Sequence, residues 1–182
     1  MIMASKTNVL YLLLPSFISI DLLEKEKIMA NSYTDVPEIK FHMEHPLMKR
    51  IVELKERNYA DYGQYDYAPK NYEDAQENYD SLLEITGDIN ANIIGPNSED
   101  VDAEGPHCEN GRVRYASKTY ENLDATIKAG LCGMTMPRRY GGLNLPNVVY
   151  TAANEIIAEG DAGFENIWSI IREEYRKFEL KR

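Results

Sequence analysis

The sequence predicts an all-α fold of four or five helices, and three observations carry that expectation. Apolar residues recur near a 3.6-residue spacing in four separate stretches. Those stretches are bounded by Pro, Gly and Asn at helix-start and helix-stop positions. Alternation with period two, the mark of a half-buried strand, is confined to Gly111-Arg112-Val113-Arg114-Tyr115.

The elements follow in order. Residues 1–28 stand apart from the rest: Val9-Leu10-Tyr11-Leu12-Leu13-Leu14 is an apolar run behind Lys6, and a second methionine, Met29, opens an ordinary-looking start. Three readings stay open for this segment: a translated leader upstream of the true start, a packed N-terminal segment, and a signal peptide without a convincing cleavage site. After Pro46, suited to the first turn of a helix, Leu47, Ile51, Leu54 and Tyr59 or Ala60 mark one helix, with Gly63 as its stop. From Asn71, an N-cap residue type, Tyr72, Ala75, Tyr79, Leu82, Leu83, Thr86, Ile89, Ile93 and Ile94 mark a long second helix. Gly87 weakens it without breaking it, and Gly95-Pro96 is expected to stop it. A third helix runs from Ser117 or Thr119 through Tyr120, Leu123 and Ile127 to Gly130. A fourth opens at Pro146, carries Val148, Val149, Ala152, Ala153, Ile156 and Ile157 on one side, and ends near Gly160-Asp161. Residues 171–182, with five basic and three acidic side chains, read as an exposed terminal helix.

Twenty Lys and Arg against thirty Asp and Glu give a net charge of −10 over 182 residues. Between Asn71 and Gly111 there are eleven acidic residues and no Lys or Arg, which would repel a phosphate backbone and argues against nucleic-acid binding. No apolar run reaches the roughly 18 residues of a membrane-spanning helix. Two cysteines make no disulfide framework, so a reducing compartment and a cytoplasmic location are expected.

Residue chemistry alone yields no active site. Asp100, Asp102, Glu104 and Gly105 imitate the first half of a calcium loop, but Gly111 stands where the bidentate Glu belongs, so an acidic surface loop is expected. His42 and His45 lack a third ligand nearby and suit solvated or capping roles, while His107-Cys108 has no partner pair for zinc. Tyr59, Tyr62, Tyr65, Tyr67 and Tyr72 are expected to pack a helix–turn–helix corner, since base-stacking platforms need a positive groove beside them. Neither a phosphate-cradling glycine loop nor a nucleophile elbow is present.

One stretch is more specific. Gly130-Leu131-Cys132-Gly133-Met134-Thr135-Met136-Pro137-Arg138-Arg139-Tyr140-Gly141-Gly142-Leu143-Asn144-Leu145-Pro146 joins a helix end to a helix start. Read physically it is a helix–loop–helix linker, with Gly130 free to leave its helix in a left-handed conformation. The same string resembles the Gly-Leu-x-Gly-x-x-x-Pro-x-x-Tyr-Gly-Gly-x-Gly-Leu-Pro segment of the N-terminal helical domain of flavin-dependent acyl-CoA dehydrogenases. Asn144 replaces a glycine there, a mild departure because asparagine tolerates left-handed backbone. Upstream, Asp102-Ala103-Glu104-Gly105, Gly111-Arg112-Val113 and Tyr120 are similar to the family's longer members. Downstream, the run from Glu155 to Phe164 is similar as well, so the resemblance covers residues 30 to 169.

The resemblance implies an orthogonal helical bundle and, for the complete enzyme, oxidation of an acyl-CoA thioester. A carboxylate base takes the α-proton while the β-hydrogen leaves as hydride to FAD, steps that depend on oriented binding. It further implies a homo-oligomer whose catalytic glutamate comes from a C-terminal helical bundle, so no catalytic residue is assigned in this chain. By position, Glu165, Asn166 and Ser169 would line the acyl pocket, or stand solvated where no β-domain faces them. The expected organisation is a leader or extension at 1–28, the helical domain at 29–169 and a divergent tail at 170–182. A truncated or frame-shifted product, or a fragment, is expected, and the chain alone is expected to be inactive. The rival reading is a non-enzymatic helical interaction module. A fragment should expose the apolar faces of Val148, Val149, Ile156, Ile157 and Trp168; an evolved module should not.

Overall fold

The computed structural model describes residues 31–179, with side chains to Ile170. The readings of residues 1–28 and of the last three tail residues lie outside the described residues.

The longest feature is a rod in three pieces. Asn71 caps it as expected, its side chain accepting the Asp74 N–H at 2.9 Å. Helix α3 (Tyr72–Ile89) follows, then a π-helical turn (Asn90–Ile94), then α4 (Gly95–Glu104). Gly95-Pro96 therefore does not stop the helix. Proline lacks an N–H and clashes with the carbonyl four residues back in a regular helix. The wider π turn, in which Gly95 N–H reaches the Asn90 carbonyl, removes that conflict and leaves Pro96 in the first turn of the next segment. It also makes the Asp100–Glu104 stretch helical rather than the acidic loop expected. Gly87 is needed for space: a Cβ there would lie 2.7 Å from the Tyr33 backbone nitrogen.

After α4 a short hairpin pairs β1 (His107–Glu109) with β2 (Arg112–Arg114), its turn made by Asn110 and Gly111, both left-handed. Helix α5 (Ser117–Lys128) comes next; its first turn is held by Glu104, which accepts from Ser117 N–H at 3.0 Å and Oγ at 2.7 Å. Helix α6 (Asn147–Gly160) opens after Pro146, and α7 (Ala162–Glu179) starts where Asp161 accepts the Phe164 N–H. Helix α7 crosses residue 169 without a break.

Helix α6 lies at the centre, packed on α3 and α7. Val149, Ala153, Ile156 and Ile157 have no exposed surface, and each large side chain so buried contributes about 1.5–3 kcal/mol. Trp168 is buried and stacks on Tyr150 at 5.7 Å. The faces expected to lie bare in a fragment are thus covered within the chain itself, Val148 partly so.

Two helices turn the other way. On α2 (Met48–Lys55), which follows the short α1 (Pro37–Met43), the expected inward stripe is outward: Leu47 is 60% and Leu54 61% exposed, and Ile51 is exposed too. The buried face is Met48 and Val52, continued by Glu56. On α5 the expected Tyr120 and Ile127 are exposed, while Thr119, Asn122 and Thr126 are buried. The physical reason is polar: Glu56 and Asn122 each find a buried partner, Arg138 and Asn97 respectively, which only the inward orientation supplies. Helix α2 also ends well before Gly63, because Arg57, Asn58 and Tyr59 take left-handed backbone (φ 50°, 53° and 62°). Of the expected tyrosine corner, Tyr59 and Tyr72 pack on the core, whereas Tyr62 and Tyr67 are exposed.

Candidate functional site

The family-like loop closes on itself. Gly130 leaves α5 with φ 75°, as expected, and Gly141 is left-handed at φ 84°. Leu143, Asn144 and Leu145 donate backbone N–H groups to Gly133, Met136 and Met134 at 3.1, 2.8 and 2.7 Å. A Cβ on Gly142 would fall 2.3 Å from the Met136 carbonyl oxygen, so the turn excludes any other residue.

Arg138 locks this loop to the end of α2. Its guanidinium donates to Glu56 Oε2 at 2.5 Å and Oε1 at 3.0 Å, to Asp61 Oδ2 at 3.3 Å and to the Leu143 carbonyl at 3.2 Å. Tyr79 adds a hydrogen bond to Glu56 Oε1 at 3.3 Å, and Arg57 pairs with Asp61 from outside. Arg138 is 4% and Glu56 1% exposed. Burial alone would lower the Arg138 pKa, but its bonds and charge contact with Glu56 and Asp61 raise it, so the guanidinium stays charged. Burial first, then the Glu56 carboxylate, push the Tyr79 phenol far above its ordinary range. Sequence reading missed this cluster. The signal was present: Glu56 falls on the Met48–Val52 stripe at a four-residue step, a carboxylate where an apolar residue belongs.

The candidate acyl-binding surface is at the start of α7. A cleft of about 370 Å³ is lined by Val101, Pro106, Tyr115, Ala116, Phe164 and Ile167, and also by the polar Ser98, Asp102, Thr119 and Asp161. Gly163, Phe164 and Ile167 of α7 face it; Glu165, Asn166 and Ser169 do not line it. Asn166 Nδ2 donates to the Ala162 carbonyl and Ser169 Oγ to the Asn166 carbonyl, so both polar groups are engaged by their own helix.

The other candidates resolve simply. His45 Nδ1 accepts the Leu47 N–H at 3.2 Å, a capping role. Cys108 and Cys132 are free, and burial raises the Cys132 thiol, which disfavours a nucleophilic thiolate. Among the described residues no group of three or more His, Cys, Asp and Glu side chains could hold a metal ion, and no helix is long and apolar enough to cross a membrane.

Comparison with known proteins agrees with the loop. Residues 91–173 match the family described as acyl-CoA dehydrogenase, N-terminal domain. A curated relative, the 3-methylmercaptopropionyl-CoA dehydrogenase of Ruegeria pomeroyi, is 34% identical over 84 residues, which are 46% of this chain and 14% of the relative. The match thus spans about a seventh of that protein's length. No solved structure matches the chain. Arg138 lies inside the matched residues, whereas Glu56, Asp61 and Tyr79 lie outside them.

Proposed function

We propose that this chain, which carries an N-terminal acyl-CoA dehydrogenase domain, supplies one wall of an acyl-CoA site and needs further domains for catalysis. The observation that carries the reading is the Gly130–Pro146 loop, which lies within the matched residues and leads through α6 into the apolar cleft at the start of α7. Its apolar side chains suit an acyl chain, and Ser98, Asp102, Thr119 and Asp161 are the polar groups beside them. Glu165, Asn166 and Ser169 stand on the same helix beside it, and we assign them to the outer lining of the acyl site, where a facing domain would cover them. The domain is assigned to residues 29–169 and the tail to 170–182.

The family is generally FAD-dependent, and the notable clefts of the described residues carry no feature that assigns the flavin to one of them. The flavin is therefore assigned to residues outside those described, and the working enzyme to a cytoplasmic homo-oligomer. The test is a flavin absorbance spectrum of the 182-residue chain after incubation with excess FAD and gel filtration. The expected result is no retained flavin and no acyl-CoA oxidation; a yellow, active protein would overturn the proposal.

The burial of Val149, Ile156, Ile157 and Trp168 favours a second reading, a self-standing helical module that keeps the scaffold and binds a partner. A monodisperse chain that neither binds a hydrophobic dye nor weakens an acyl-CoA dehydrogenase partner would support it. Strong dye binding would support the enzyme-wall reading, since Leu47, Ile51 and Leu54 would then await a covering domain.

A further inference from the structure

We infer that the cleft between the end of α2 and the Pro137–Asn144 turn is an anion site for a small phosphorylated ligand, separate from the acyl-binding surface. The cleft, about 440 Å³, is lined by Lys55, Arg57, Arg138 and Arg139, with Asp61 as the one carboxylate among its lining residues. In a chain of net charge −10 this gathers four of its twenty Lys and Arg at one concavity. A concavity with a surplus of one sign of charge concentrates the opposite ion. Asp61, held by Arg57 and Arg138, and Glu56, held by Arg138, offset two of these four charges, so the cleft keeps a surplus of two positive charges. Glu56, behind the wall, is fully occupied by Arg138 and Tyr79. The guanidinium of Arg139 lies 4.8 Å from the Tyr140 ring centroid, a planar fork whose donors suit phosphate oxygens.

A second observation points to the same place. Among the described residues five non-glycine positions have left-handed backbone, and four of them, Arg57, Asn58, Tyr59 and Asn144, border or adjoin this cleft. Asparagine adopts this backbone readily, but at Arg57 and Tyr59 it persists only where surrounding contacts enforce it, and such positions gather at binding sites whose groups must be pre-set. Here they set Arg57 at one rim and tie Asn144 Nδ2 to the Lys55 carbonyl at 3.3 Å on the other. The Arg138 lock fixes the wall between them. The backbone that carries the exposed Arg57 and Arg139 side chains is thus held in place before any ligand arrives, which lowers the ordering cost of binding.

Calorimetric titration of the full chain at low salt tests this with orthophosphate, pyrophosphate and ADP. The expected result is saturable binding that weakens steeply with added salt. Pyrophosphate and ADP binding alike would assign the site to the phosphates alone; tighter ADP binding would assign it to a nucleotide, with Tyr65 of the lining as the base platform. Arg139→Gln should weaken binding about tenfold or more, the loss of one charge-assisted contact. Arg57→Gln is the second variant, and Arg112→Gln on the remote hairpin should leave affinity unchanged. No binding of any probe, unchanged affinity in both cleft variants, or an equal loss in Arg112→Gln would each overturn the proposal.

Discussion

Helices α3 and α6 bury the stripes their apolar periodicity marks; α2 and α5 turn comparable stripes outward and bury polar residues instead. In the first pair the burial of Leu83, Ile94, Val149 and Ile156 decides orientation, and apolar area wins. In the second pair each helix carries one group that is costly to leave unpaired, Glu56 on the face of α2 and Asn122 on α5. Hiding a Leu or Ile is worth about 1.5–3 kcal/mol, whereas an unpaired buried charge costs several. A single well-partnered polar group can therefore outweigh an apolar stripe, and the stripe is left for something else to cover.

The comparison can be broken most sharply at Arg138. Arg138→Met should destabilise the chain by about 3–5 kcal/mol, because it strands the buried Glu56 carboxylate, and urea unfolding reads the loss. Adding Glu56→Gln should recover much of it, as neutralising the stranded charge removes the main cost. A single variant within about 1 kcal/mol of the parent would mean that the pair does not orient α2. Next comes Asn122→Ala, which leaves Asn97 Nδ2, now donating at 2.7 Å, without its acceptor. The expected cost is about 1–3 kcal/mol, and a double-mutant cycle with Asn97→Ala should show the two are coupled. The smallest stability effect belongs to the outward stripes: Leu54→Ser with Ile127→Ser should stay within about 0.5 kcal/mol per site. The same variant should lower hydrophobic-dye fluorescence, and unchanged fluorescence would show that the stripes are not the exposed apolar surface.

Most of the architecture is legible in the sequence wherever local signals act alone. The Asn71 cap, the left-handed exit at Gly130, the opening of α6 at Pro146 and the break at Asp161 all follow from residues within a turn of the event. The family-like loop was legible as a pattern, though not as a contact. What the sequence hides is long-range: Arg138 meets Glu56 across 82 positions, and that meeting sets which face of α2 turns inward. Gly95-Pro96 misleads for a different reason, since its usual meaning holds only for a regular helix. Within the candidate site, Glu165, Asn166 and Ser169 were placed by resemblance. Which side of their helix meets a cleft depends on Val101 and Tyr115, residues from other elements.

The π turn has a further consequence, best put as phase. One extra residue in a helical winding advances everything beyond it by about 100°. Upstream of Asn90 the rod presents Tyr79, Leu83 and Thr86 to the core; downstream it presents Asn97 to Asn122 on α5. In regular winding Tyr79 and Asn97, about five whole turns apart, would point the same way, and one straight helix could serve only one set of neighbours. The turn thus acts as a phase shifter that lets a single rod address two sets of neighbours. Deleting one residue between Asn90 and Ile94 would restore regular winding and swing Asn97 away from its partner.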